Sequence, residues 1–420
     1  MFALGRKAAA LAIATTTGVL AYAQAQEPWP GVLDEHPKIQ YAIRPTTDRV
    51  AALNQSLVAS GRRLERDAQT GYLRSVLDAL GVPVESQMLV FSKTGVQRAF
   101  TSPRTPRALY FDESVAVGYV PTAPVIEIAT HDPQQGVVFY TVDQAAATPS
   151  FVRRTSCLGC HVSASTLGVP GLIARSNFVG DNGDPIPQLG GTDVDHRTPH
   201  PDRWGGWFVT SAGEPAPYSQ RAHEGNITFS PNGNTSNQIF VDWLDSSPQT
   251  HGYLSADSDI VALLVFDHQV RAINLMTRLN WEARVAGYDA LAQGEGQVRD
   301  LANELADYLL FVGEMPPSVP LIPLKRFAER LEAKTPRDRN GRSFGQLNLT
   351  NRLLEYPCSY MVYSPAFDGL PAAVKQAVYH RMIGDLADSG PRSPLPRLST
   401  EDRRAILEIL RETKSDFPTS

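Results

Sequence analysis

Two cysteines three positions apart, with a histidine directly after the second, occur once in this chain, as Cys157-Leu158-Gly159-Cys160-His161. That spacing is the attachment signature for a c-type haem. Each thiol can form a thioether with one vinyl group of the porphyrin, and two intervening residues let a single tight turn reach both. The residue that follows then falls beneath the ring, where an imidazole nitrogen can bind the iron as proximal ligand. The competing chemistry for two close cysteines is a disulfide or half of a zinc site. A structural zinc site needs four ligands, and the chain has no second CxxC. The expected cofactor is therefore one covalently attached haem c, held by Cys157 and Cys160, with His161 as the proximal iron ligand.

The sixth iron position has no comparable local rule, so the sequence offers candidates only. His268 and Met276 share an apolar helical face, where a core role competes with ligation. His223 follows a Trp-Gly-Gly-Trp tract on an irregular segment, the usual setting for a distal ligand. His196 and His200 have Asp and Arg neighbours and read as an exposed loop, and Met361, Met315 and His131 are weaker candidates. Arg153, Arg154, Arg175, Arg197 and Arg203 flank the motif and could pair with the two haem propionates, although any one of them is more simply a surface arginine. Cys358 lies in a tight aromatic segment and reads as a buried, inert thiol, with thiolate ligation of iron as the minor alternative.

The elements that must position these groups are legible in outline. Arg6 and Lys7 precede an apolar run ending in Ala23-Gln24-Ala25, which has the form of a secretory signal peptide cleaved near Ala25. Its apolar run is too short to span a bilayer. Loss of residues 1–25 removes two positive charges and moves the formal charge from −5 to −7. With no dense basic cluster, that balance argues against a nucleic-acid partner. The expected setting is periplasmic or secreted, with redox proteins as partners and no membrane span.

Apolar periodicity predicts helices over 47–66 and 68–80, then short strands over 87–91, 108–111, 115–119, 125–129 and 137–141. Thr148-Pro149-Ser150 reads as the start of a helix leading into Cys157. Residues 162–255 are rich in Gly, Pro, Asn and Asp, but embedded tryptophans argue for a packed irregular wrap rather than a linker. In Arg203-Trp204-Gly205-Gly206-Trp207, close backbone approach and flat aromatic cover would suit a haem face, and ordinary loop packing fits equally well. Helices follow over 255–291 (one long or a broken pair), 298–311, 323–333, 371–388 and 401–413. The predicted fold class is α+β: N-terminal helices and an antiparallel β-sheet (26–145), an irregular haem-wrapping middle (146–255) and a helical C-terminal region (256–420).

On these residues the chain resembles a family of exported bacterial cytochrome c domain-containing proteins with a single CxxCH. The resemblance runs from about residue 73 to 418 and rests on 87–94 (QMLVFSKT), 105–111 (TPRALYF), the 157–161 motif with 166–171 (TLGVPG), 203–210 (RWGGWFVT), the Asp267-His268-Gln269 helix and 356–363 (YPCSYMVY). It implies a single covalent haem with Cys157, Cys160 and His161 in their usual roles, and it implies no particular reaction. A small class I cytochrome c ends roughly 80–100 residues after its motif, whereas well over 200 residues follow here. A dihaem peroxidase would need a second CxxCH. The expected function is covalent haem binding and single-electron transfer. The alternative is a haem enzyme with an open distal site, acting on peroxide or a small organic substrate, in which His268 or His223 would be an acid/base group.

Overall fold

A computed structural model describes residues 33–180, 182–209, 252–255, 257–287, 296–317, 320–322, 325–388, 390 and 395–418. The signal-peptide reading and His223 lie outside the described residues. The strands are β1 (Met88–Val90), β2 (Arg107–Phe111), β3 (Val115–Tyr119), β4 (Val125–Asp132), β5 (Gly136–Asp143), β6 (Phe151–Arg153), β7 (Arg175–Asn177), β8 (Gly191–Asp193) and β9 (Trp207–Phe208). Seven form one antiparallel sheet in the order β6-β5-β4-β3-β2-β1-β9, and β7 pairs with β8 separately.

Alternation along the strands gives the sheet two apolar faces. Tyr110, Val117, Ile126, Ile128, Val138 and Tyr140 face α1 (Arg49–Ser60) and α2 (Leu73–Leu80). Phe111, Ala116, Ala129 and Phe139 face a helical layer, so the sheet is covered on both sides. That layer is built on α4 (Ile260–Ala286), with α5 (Gln297–Leu309), α6 (Lys325–Lys334), α7 (Pro365–Asp368), α8 (Ala372–Ala387) and α9 (Thr400–Thr413). The predicted α+β class stands, and the sheet and the C-terminal helices share one core rather than forming separate cores.

Local chemistry explains where these helices start and stop. Asp48 caps α1 by accepting from the amides of Val50 and Ala51, and Gly61 ends it in the left-handed region. Asp259 caps α4, and Ser399 with Asp402 forms a capping box on α9. Among the described residues α4 is the one helix long and apolar enough to cross a membrane. Its most apolar stretch is 94% buried inside the protein, so it serves as a core helix.

Two sequence expectations change. Thr148-Pro149-Ser150 leads into strand β6, because Phe151 and Arg153 pair with Val142 and Tyr140 of β5; a partner distant in sequence overrides the local cap signal. The last residue of the Trp-Gly-Gly-Trp tract, Trp207, opens β9, which joins the sheet beside β1. A side chain on Gly206, whose φ is 83°, would meet Ser92 Cβ at 2.5 Å. That close approach is to the protein's own chain, and Trp204 and Trp207 are buried in the core.

Candidate haem-attachment site

Edge strand β6 runs into a 3-10 turn (Thr155–Cys157) and then into one helical turn, α3 (Leu158–His161). All three cysteines are free thiols: Cys157 is half-buried, Cys160 exposed and Cys358 buried. A side chain built on Gly159 meets nothing within 4 Å, so the outer side of the turn is open. The turn thus leaves Cys160 exposed, while Cys157 packs partly against the core.

His161 is held from behind. Its Nδ1 lies 2.8 Å from the carbonyl oxygen of Gly171, and the Gly171 amide donates back to the His161 carbonyl at 3.0 Å. A carbonyl can only accept, so Nδ1 carries the proton and Nε2 keeps a bare lone pair. Burial pushes the His161 pKa down, opposed by the Gly171 carbonyl, which favours the neutral ring that a metal requires. Phe139 packs on the imidazole with centroids 4.6 Å apart. Such a carbonyl partner fixes ring orientation and raises ligand basicity.

Gly171 is itself positioned by α4. Asn274 accepts from the Leu172 amide at 3.1 Å and donates to the Leu172 carbonyl at 2.8 Å, while Arg278 donates to the Leu167 carbonyl at 2.9 Å. A side chain on Gly171 would meet Asn274 Oδ1 at 2.3 Å and push Asn274 off the Leu172 backbone. Asn274 and Gly171 are positioning residues that sequence reasoning missed; nothing local in the sequence links a helix more than a hundred residues downstream to the motif.

The surroundings suit a flat, partly apolar group. Gly118, Glu127, Thr141 and Val152 form one cross-strand row beside the turn, and Val152 is 42% exposed. Leu158, Leu167 and Leu172 are half-buried at the core's edge. Burial, and secondarily Glu127, raises the Cys157 thiol pKa, while Arg154 lowers it. Among the described residues no group of three or more His, Cys, Asp or Glu side chains is placed to hold a metal ion, so the cysteines do not form part of such a cluster.

Of the five flanking arginines, Arg175 pairs with Asp193 and Arg197 with Asp195. Arg203 is buried against Asp267, and Arg153 donates to the carbonyls of Arg44 and Tyr41. Arg154 is exposed, reaches only Thr141 Oγ1 at 2.9 Å and has no acidic partner among the described residues.

Two distal candidates are enclosed. His268 has both nitrogens engaged: Nδ1 lies 2.8 Å from His196 Nδ1, and Nε2 lies 2.6 Å from Ser359 Oγ. Tyr308 and Phe311 stack on its ring with centroids 4.9 and 4.3 Å away. Met276 is fully buried, its sulfur 4.0 Å from Ser364 Oγ. It points about 200° around α4 from Asn274, away from the 166–172 loop. The apolar face that made both residues candidates is a packing face.

His196 and His200 are also buried, at 3% and 7% exposure, contrary to the exposed-loop reading. Asp195 and Arg197 pair with each other at 2.6 Å on the outside, which turns the intervening His196 inward. Cys358 is fully buried, as read, and burial drives its thiol pKa well up, so it stays protonated.

His131 gives a measurable consequence of this interior. It is buried, its Nδ1 has no partner, and burial lowers its pKa to about 4. An unfolded histidine titrates near 6.5, so the neutral native ring contributes stability above that pH and loses it as pH falls toward 4. The slope is about 1.4 kcal/mol per pH unit. Urea unfolding between pH 7 and 4.5 should show a shallower acid loss in His131→Asn than in the parent. Parallel stability curves would sink this assignment.

No protein-family model, no curated protein and no solved structure matches this chain.

Proposed function

We propose that this protein is an exported monohaem c-type cytochrome that transfers single electrons with redox partner proteins in the periplasm. The observation that carries the reading is His161 Nδ1 anchored on the Gly171 carbonyl, which leaves Nε2 as the nitrogen for a metal, next in sequence to the exposed Cys160 and close to the half-buried Cys157. Cys157 and Cys160 would hold the haem covalently, His161 Nε2 would bind its iron, and Arg154 would meet a propionate. The haem supplies one-electron redox chemistry when bound. Gly171 and Asn274 orient the imidazole, and the position of the turn at the sheet's edge keeps it within reach of a partner's surface. Covalent attachment takes place outside the bacterial cytoplasm, so export belongs to the same reading.

A second reading, a haem enzyme acting on peroxide or a small organic substrate, gains from the enclosure of His268 and Met276. With His268 and Met276 packed in the core, His223 is the first of the original three distal candidates to test. The first experiment is the full chain, exported from a host competent in c-type haem attachment, stained for haem after denaturing electrophoresis; an unstained band would end both readings. Carbon monoxide then separates them. A low-spin spectrum indifferent to the gas supports the carrier, and in that case His223→Ala should make the iron reactive if His223 is the ligand. A high-spin form that binds the gas rapidly supports the enzyme.

A further inference from the structure

A cavity of about 180 Å³ lies between α6, the 360–364 turn and the end of β2, and no residue of the 157–161 turn lines it. Phe111, Val265, Phe327 and Leu331 form its walls, with the two phenylalanine rings tilted and 6.0 Å apart. An apolar cavity of roughly 150 Å³ is enough to take up benzene. The space therefore holds one aromatic ring with a small substituent.

The polar groups around it are unequal. At the floor, Tyr360 donates to Gln269 Oε1 at 2.9 Å, and the Gln269 amide donates to the Asp112 carbonyl. Ser364 donates to the Met361 carbonyl at 2.7 Å, and Tyr363 is engaged with Thr413. The interior donors already have partners, so the inner end of an occupant must be apolar. At the mouth, Glu113 pairs with Lys334 at 2.8 Å, and the Asp112 carboxylate is held by Arg49. Arg330, on the exposed side of α6, takes no hydrogen bond or ion pair from any described residue. An aromatic slot with satisfied polar groups inside and one uncompensated guanidinium at its rim is complementary to a ring bearing a single carboxylate.

We propose that this cavity is a binding site for a small aromatic monocarboxylate, its ring packed against the wall that Phe111 and Phe327 form and its carboxylate on Arg330. The site is separate from the haem reading and does not depend on it.

The test is fluorine NMR of 4-fluorobenzoate and its neutral counterpart 4-fluorotoluene with the full-length protein. Fluorobenzoate should bind more tightly than fluorotoluene. Arg330→Gln should weaken fluorobenzoate about fivefold and leave fluorotoluene unchanged. Leu331→Trp should fill the slot and abolish binding of both. Absence of fluorobenzoate binding to the parent would overturn the proposal, as would equal affinity in Arg330→Gln or undiminished binding in a folded Leu331→Trp. Arg330 is exposed, so its variant gives an answer even if Leu331→Trp does not fold.

Discussion

Arg203→Met is expected to lower the unfolding free energy by about 3–5 kcal/mol, a large fraction of a typical native margin. Arg203 and Asp267 meet at 3.4 Å with side chains only 1% and 4% exposed. Burial already pushes the Asp267 carboxyl up to about 7 against the pull of Arg203, and removing the guanidinium leaves that carboxyl buried with no cation. The deficit of the variant should shrink as pH is lowered, because Asp267 then takes up a proton and sheds its charge. Replacing both partners, Arg203→Met with Asp267→Leu, should recover most of the loss. Urea unfolding of the two single variants and the double variant closes the cycle. Additive single losses would mean that the pair is not coupled as drawn.

Cys157→Ala with Cys160→Ala is expected to abolish covalent haem completely while leaving the fold nearly as stable as before. Cys160 is exposed and Cys157 only half-buried, so little packing is lost in either substitution. Either single variant should retain one thioether and stain more weakly. His161→Ala keeps both thiols but removes the axial nitrogen, so added imidazole should restore the parent-like spectrum in that variant alone. Haem stain persisting in the double variant after denaturation would refute the attachment site. Loss of stain together with loss of the thermal transition would instead point to misfolding, and circular dichroism distinguishes the two.

Much of the scaffold could be read from sequence because its signals are local. Strand β3 occupies the predicted 115–119, since β-branched residues there are bounded by turn formers. The C-terminal helices follow their apolar periodicity, and Ser399 caps α9 as its position implied. The failures share one cause, which is a partner far away in the chain. Strand β6 was hidden by a cap-like Thr148-Pro149-Ser150 because its pairing with β5 is a tertiary fact. His196 was misjudged from its charged neighbours, which satisfy each other and leave it to the interior. At the site, Cys157, Cys160 and His161 are legible from spacing alone. The Gly171 carbonyl and Asn274, which aim the imidazole, require the fold.

The closure of the sheet by β9 also bears on the order in which this chain acquires structure. Leu89 of β1 pairs with Phe208, about 120 residues later, and its amide then donates to Ser258 Oγ at 2.8 Å. Contacts of such separation carry a high loop-closure cost and form late. The 157–161 turn likewise depends on distant partners, because Asn274 holds the loop whose Gly171 carbonyl anchors His161. The imidazole is therefore aimed only when α4 has docked, at the same late stage as the closure of the sheet.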